Sequence, residues 1–176
     1  MFSADILWTQ PAAWGEIQSA LDHHLQVYAG HISVLASLAE AIADRLQALE
    51  PVLDDVCAVT CPQCSDPCCL HADVRYDFRD LLYLHCRQEG LPLHQPKLAT
   101  GRPCSFLARD GCVLPRSLRP FLCTWYLCPW QMNMMQASAP ADMIVLLTGL
   151  QTLKKLRKDM DREFMELVLP ESRDET

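Results

Sequence analysis

Residues 21–56 read LDHHLQVYAGHISVLASLAEAIADRLQALEPVLDDV. Their apolar members fall at Leu21, Leu25, Tyr28, Ile32, Leu35, Ala39, Ile42, Leu46, Leu49, Leu53 and Val56, in alternating steps of four and three. That spacing lays one apolar stripe along a helix, and such a stripe must be covered by another helix. Asp22, Glu40, Asp44, Glu50, Asp54 and Asp55 fall off it. Pro51 is expected to end or kink the helix near Glu50, and Gly30 to weaken it modestly in the middle.

A second stripe lies near the other end of the sequence, at Met143, Leu146, Leu150, Leu153, Met160, Phe164 and Leu167, where Arg157 takes one expected apolar place. Asp142 is expected to cap or charge-stabilise the start of this helix, and Pro170 to mark its end. The two helices are similar in length, so the expected fold is mainly α, a long antiparallel helix pair carrying a loop-rich module at one end. The same stripes would also serve a coiled-coil dimer or a protein partner. The basic cluster Lys154, Lys155, Arg157 and Lys158 opposes the acidic first helix, although a solvated face is the simpler reading.

All ten cysteines of the 176 residues lie between Cys57 and Cys128. The sequence therefore divides into an N-terminal long-helix segment (1–56), a cysteine-rich module (57–130) and a C-terminal helical segment (131–176). Inside the module Asp77 is expected to cap a short helix that ends near Gly90, and LPLHQPKLATGRP (91–103) reads as a loop. A chain of this length can bury a core without covalent staples. The formal charge of −7 gives no footprint for a nucleic-acid backbone. The first residues lack the pattern of a signal peptide, and the longest apolar run is far short of the ~20 residues of a membrane span. The expected compartment is the cytoplasm, where thiols stay reduced and serve metals or chemistry more often than disulfides.

CPQCSDPCC supplies Cys61, Cys64, Cys68 and Cys69, and a second group supplies Cys104, Cys112, Cys123 and Cys128. Two cysteines separated by two residues reach one ion across a tight turn, and each group supplies the four thiolates of a zinc site or an iron–sulfur cluster. Asp110-Gly111 is expected to make a turn that sets Cys104 and Cys112 on adjacent arms. Adjacent Cys68 and Cys69, read as extended backbone, would point to opposite sides and so serve two centres, leaving the division of the eight ligands open. Cys57 is either a spare ligand or packing, and Cys86 is expected to pack as a small hydrophobe.

CPQCSDPCC at 61–69, PCSFLARDGC at 103–112 and RPFLCTWY at 119–126 together resemble the YkgJ, or CxxCxxCC, family, a zinc- or iron-chelating domain. The resemblance covers about residues 57–130. It departs from the family pattern in having three residues before the double cysteine and Thr124 where arginine is common. It implies metal binding with no settled reaction. A related cysteine cluster occurs in flagellin lysine methylases, so a redox or group-transfer enzyme is the alternative, although no catalytic motif is visible.

Zinc and iron–sulfur clusters both accept four thiolates. An aromatic shell of Phe106, Phe121, Trp125, Tyr126 and Trp130, and a Cys128-Pro129 step like that of bacterial ferredoxin motifs, favour iron–sulfur. Arg119 is expected to donate to a thiolate or to a backbone carbonyl. His71 is a candidate replacement ligand, and His23, His24 and His31 read as helix surface.

Overall fold

The computed structural model describes residues 10–88, 91–97, 102–109 and 111–169. Among them are seven α-helices: α1 (Pro11–Val27), α2 (Ser33–Thr60), α3 (Cys68–His71), α4 (Phe78–Arg87), α5 (Phe121–Trp125), α6 (Pro129–Ser138) and α7 (Pro140–Val168). Single 3-10 turns occupy Ala29–His31, Cys61–Gln63 and Arg116–Leu118, and β1 (Leu107–Ala108) pairs antiparallel with β2 (Gly111–Cys112). The chain is mainly α, as the two stripes predict.

The helix pair is α2 with α7, of 28 and 29 residues. They run antiparallel: Leu49 packs on Gly149, while Val34 and Leu35 share a cavity wall with Glu163 and Leu167. The buried face of α2 is Leu35, Ala39, Ile42, Leu46, Leu49, Leu53 and Val56, the second half of the predicted stripe. That of α7 is Leu146, Gly149, Leu150, Leu153, Arg157, Met160 and Phe164. Each large apolar side chain so buried contributes about 1.5–3 kcal/mol before entropy is counted.

Two positions along the first stripe settle what the spacing left open. The helix does not end at Pro51 but runs on to Thr60. Proline removes the hydrogen bond to the Gln47 carbonyl, at a cost of about 3 kcal/mol inside a helix. Pro51 and Gln47 both lie on the exposed side, where water can serve that carbonyl, and the buried residues on the opposite face hold the helix together. The chain breaks instead around Gly30, where a 3-10 turn separates α1 from α2. Between Leu25 and Leu35 no side chain is buried, so no packing offsets the ~1 kcal/mol that glycine costs a helix. The boundary expected between residues 56 and 57 falls inside α2, which carries Cys57 in its last turn.

Helix α4 is the third wall of the core. Leu81, Leu82, Tyr83 and Leu84 are all buried, and α4 packs on α1, α2 and α7. Its start is the predicted Asp77 cap, made reciprocal by Asp80: each carboxylate accepts the other's backbone N–H, at 2.8 and 2.9 Å. Its end is Gln88, in the left-handed conformation at φ 53°; Gly90 lies outside the described residues. Asp142 stands in the first turn of α7, where it opposes the helix dipole, and the capping position itself is Ala139. Pro170 lies outside the described residues.

Helix α1 lies along α4. Buried Trp14 donates from Nε1 to the Pro92 carbonyl at 3.1 Å, and Asp22 bonds His85 Nδ1. No helix among the described residues is long and apolar enough to cross a membrane.

Candidate metal centre

The cysteines occupy the ends of helices and the short turns between them. Cys57 and Cys61 lie one helical turn apart where α2 finishes, so their side chains share a face. Cys128 is the N-cap of α6, its sulfur accepting the Gln131 backbone N–H at 3.5 Å, while the Gln131 side chain returns to the Cys128 N–H. Buried Gln131 also points Nε2 at the sulfurs of Cys57, 3.6 Å away, and Cys61, 3.9 Å away. One glutamine therefore stands among three cysteines.

Cys69, Cys104 and Cys112 come together around the loop and hairpin. The Cys104 N–H donates to the Cys69 carbonyl at 3.0 Å, and the Leu107 N–H to that of Cys104 at 3.1 Å. Leu107 pairs with Cys112 across the hairpin, so Cys104 and Cys112 lie on neighbouring arms as predicted. Gly111, at φ 118°, makes the turn possible; Asp110 lies outside the described residues. Cys123 is in α5, whose Phe121 N–H is held by the Asp80 carboxylate at 3.0 Å.

All ten thiols are unbridged. Cys57 is held down to about 6 by the hydrogen bond from Cys61, against its burial and helped by Arg116, whose Nη2 lies 3.6 Å from the sulfur. The bond pushes Cys61 up, because it spends the Cys61 proton, and burial adds to that. Cys68 is likewise held down to about 6 by the Cys69 thiol, and Cys69 is pushed up. Burial, then the charges of Cys112 and Cys104, push Cys123 up to about 12. Burial alone pushes Cys86 up to about 12, and its side chain packs against the core, as a small hydrophobe does.

Several residues stand differently from the sequence reading. Cys68 and Cys69 are in a helical turn, so the extended-strand argument does not apply. Arg119 donates to the Leu114 carbonyl at 2.8 Å, the backbone alternative of the two expected, while Arg116, bonded also to Asp54 at 2.6 Å, reaches a sulfur. The aromatic residues do not form a dry shell, since Trp125, Tyr126 and Trp130 are all exposed, while Phe121 lies under Arg157 and Phe106 stacks on His94. His71 bonds Asp66 at 2.8 Å on the exposed side of α3. His23, His24 and His31 are on the surface, as expected.

Arg116, Lys97 and Gln131 were not singled out from the sequence. Lys97 is buried, at 3% exposure, and donates to the Leu70 carbonyl at 3.2 Å; its charge acts on Cys104. The only sequence signal is the proline directly before Arg116 and before Lys97, which is too common to point anywhere, and the spacing of Gln131 three residues after Cys128.

No group of three or more His, Cys, Asp or Glu among the described residues is arranged to hold a metal ion. Two of these thiols are held down by a neighbouring thiol, Cys57 by Cys61 and Cys68 by Cys69. The donor chemistry suits a thiophilic metal: clustered sulfurs with N–H groups aimed at them, and coordination would release the protons of those S–H bonds. No protein-family profile, curated protein or solved structure matches the chain.

Proposed function

We propose that the chain is a metal-binding accessory protein of the cytoplasm, its cysteine-rich segment holding an iron–sulfur cluster or zinc, as the likeness to the YkgJ family implies. The observation that carries this reading is the burial of two cations beside thiols. Lys97 and Arg116 are 3% and 2% exposed. A buried ammonium or guanidinium is costly unless an anion faces it. Arg116 has Asp54 and the Cys57 sulfur, but among the described residues Lys97 has no carboxylate partner. Four thiolates around zinc or around a cluster bring net negative charge to the place where these cations stand.

When bound, the metal supplies either structural order or electron storage. The chain's own groups do the rest: Gln131 and Arg116 donate to sulfurs and lower their charge density, and Lys97 ties the loop to α3. Ile144, Val145 and Leu147 stand exposed on α7 and offer an apolar surface to a protein partner.

The test is purification of the full chain without oxygen, followed by its visible absorption and its iron, sulfide and zinc content. Brown protein with matching iron and sulfide is expected for a cluster, and colourless protein with stoichiometric zinc for the other metal. A second reading, a thiol redox sensor, is favoured by the Cys57–Cys61 hydrogen bond next to Arg116. It would appear as folded, metal-free protein that forms a Cys57–Cys61 disulfide with peroxide, and that result would overturn the metal reading.

A further inference from the structure

We propose that two copies of the chain pair by exchanging α1. In the exchanged dimer the turn at Ala29–His31 straightens, α1 and α2 run on as one helix, and each α1 docks on α4 of the other copy.

Within one chain that turn reverses the path. The ring of Trp14 in α1 lies 6.0 Å from that of Tyr76, and the Tyr76 hydroxyl donates to the Leu118 carbonyl at 2.6 Å. Arg116, two residues from Leu118, bonds Asp54 near the far end of α2 at 2.6 Å. Forty residues of straight helix would instead separate Trp14 from Asp54 by about 60 Å. A straightened chain therefore cannot seat α1 on its own α4, and a second copy supplies the same place. The contacts are those that α1 makes already, with Trp14, Leu21 and Leu25 buried, so the cost of exchange is confined to the turn and to association.

The reversal has no strong breaker behind it. No proline stands between Pro11 and Pro51, and among the described residues left-handed φ angles occur only at Gln88 and Gly111. Tyr28 and Ile32, which flank the turn, have φ and ψ of −99° and 19° and of −87° and 6°, in the bridge region beside helical values. The apolar steps Leu25, Tyr28, Ile32 and Leu35 also keep their alternation of three and four through the turn. A reversed chain places no demand on that phase, whereas one continuous helix does.

Straightening also gives the exposed side chains around the turn something to meet. Val27 and Val34, 60% and 50% exposed, stand seven residues apart and so share one face of the continuous helix, with Gly30 and His31 between them. Two such helices crossing antiparallel about a two-fold axis between Gly30 and His31 set Val27 of each copy against Val34 of the other. A Cβ at Gly30 would meet nothing within 4 Å, so this face is open to a close approach.

The test is sedimentation of the full chain over rising concentration, with circular dichroism as the folding control. Gly30→Ala favours the continuous helix and should tighten dimerisation about tenfold. Val27→Glu combined with Val34→Glu touches no buried residue and should weaken it about tenfold by setting like charges at the crossing, while Val27→Glu combined with Val34→Lys should restore it. In a dimer assembled from equal amounts of isotope-labelled and unlabelled chains, isotope-filtered NOEs between Trp14 and Tyr76 should run from one chain to the other. A chain that stays monomeric even with Gly30→Ala would overturn the proposal, and so would a dimer whose Trp14–Tyr76 NOEs all lie within one chain.

Discussion

Arg157→Ala should lower the stability of the protein by about 3–5 kcal/mol, measured by urea denaturation at neutral pH, because it strands a buried carboxylate. Arg157 is buried on the inward face of α7, in the place where the stripe calls for an apolar residue. Its guanidinium donates to Asp80 at 2.7 Å and to Asp77 at 2.8 Å, and lies 4.5 Å from the centre of the Phe121 ring. Asp80 is itself buried and accepts two further bonds, from the backbone N–H groups of Asp77 and Phe121. Removing Asp80 as well would not restore the loss, since both of those N–H groups would be left without their acceptor.

The cost should depend on pH, and the sign can be worked out. Burial pushes the Asp80 carboxyl above its ordinary range, and Arg157 pulls against that. A carboxyl raised in the folded state binds more protons there than in the unfolded chain, so its contribution to stability falls as pH rises from the unfolded value of about 4 through the folded one. Without Arg157 the folded value rises further and that window widens upward. Arg157→Ala should therefore cost less near pH 4 than near pH 7, and equal losses at both would count against Asp80 as the stranded group.

The second large effect is expected at Gly149, where α7 packs on Leu49 of α2. A Cβ built there would lie 2.6 Å from Leu49 Cδ2 and 3.0 Å from Leu49 Cδ1. Leu49 is 1% exposed, so its side chain must shift within the core to make room. Forcing extra atoms into a packed core costs about 1–3 kcal/mol, against a gain of about 1 kcal/mol in helix propensity when glycine is replaced. Gly149→Ala should destabilise by about 1 kcal/mol and Gly149→Leu by about 3 kcal/mol. Leu49→Ala alone should cost about 2–5 kcal/mol by leaving a cavity. Combined with Gly149→Leu it should cost less than the two added together, and strict additivity in denaturation midpoints would show that the residues do not meet.

The helix pair was readable because burial on one face imposes a period, and period survives in sequence whatever the partner is. The same stripe misled about where the helix stops. Pro51 is a breaker by its chemistry, but it lies on the wet side, where its missing bond is cheaply replaced. Gly30 is a mild breaker that lies where no packing opposes it. Arg157 was visible as an interruption of the stripe, yet its partners, Asp77 and Asp80, are some eighty residues away, and nothing local names them.

At the cysteines, count and confinement were legible and neighbourhood was not. Two-residue spacing suggested Cys61 with Cys64. The end of α2 instead places Cys61 beside Cys57, because four residues along a helix bring side chains to one face. Arg116 reaches Cys57, and Gln131 reaches Cys57 and Cys61, only through the tertiary fold. Glutamine, lysine and arginine are too frequent for their sequence positions to reveal this.

The break at Ala29–His31 also bears on how the molecule opens. The hydrogen-bond ladder of α2 does not extend into α1, so α1 can detach as a unit while the helix pair stays intact. Among the described residues its polar ties to the rest include Trp14 to Pro92 and Asp22 to His85. Such an opening would carry an indole from a 2% exposed site into water, where a red shift in its fluorescence reports the event below the global unfolding transition.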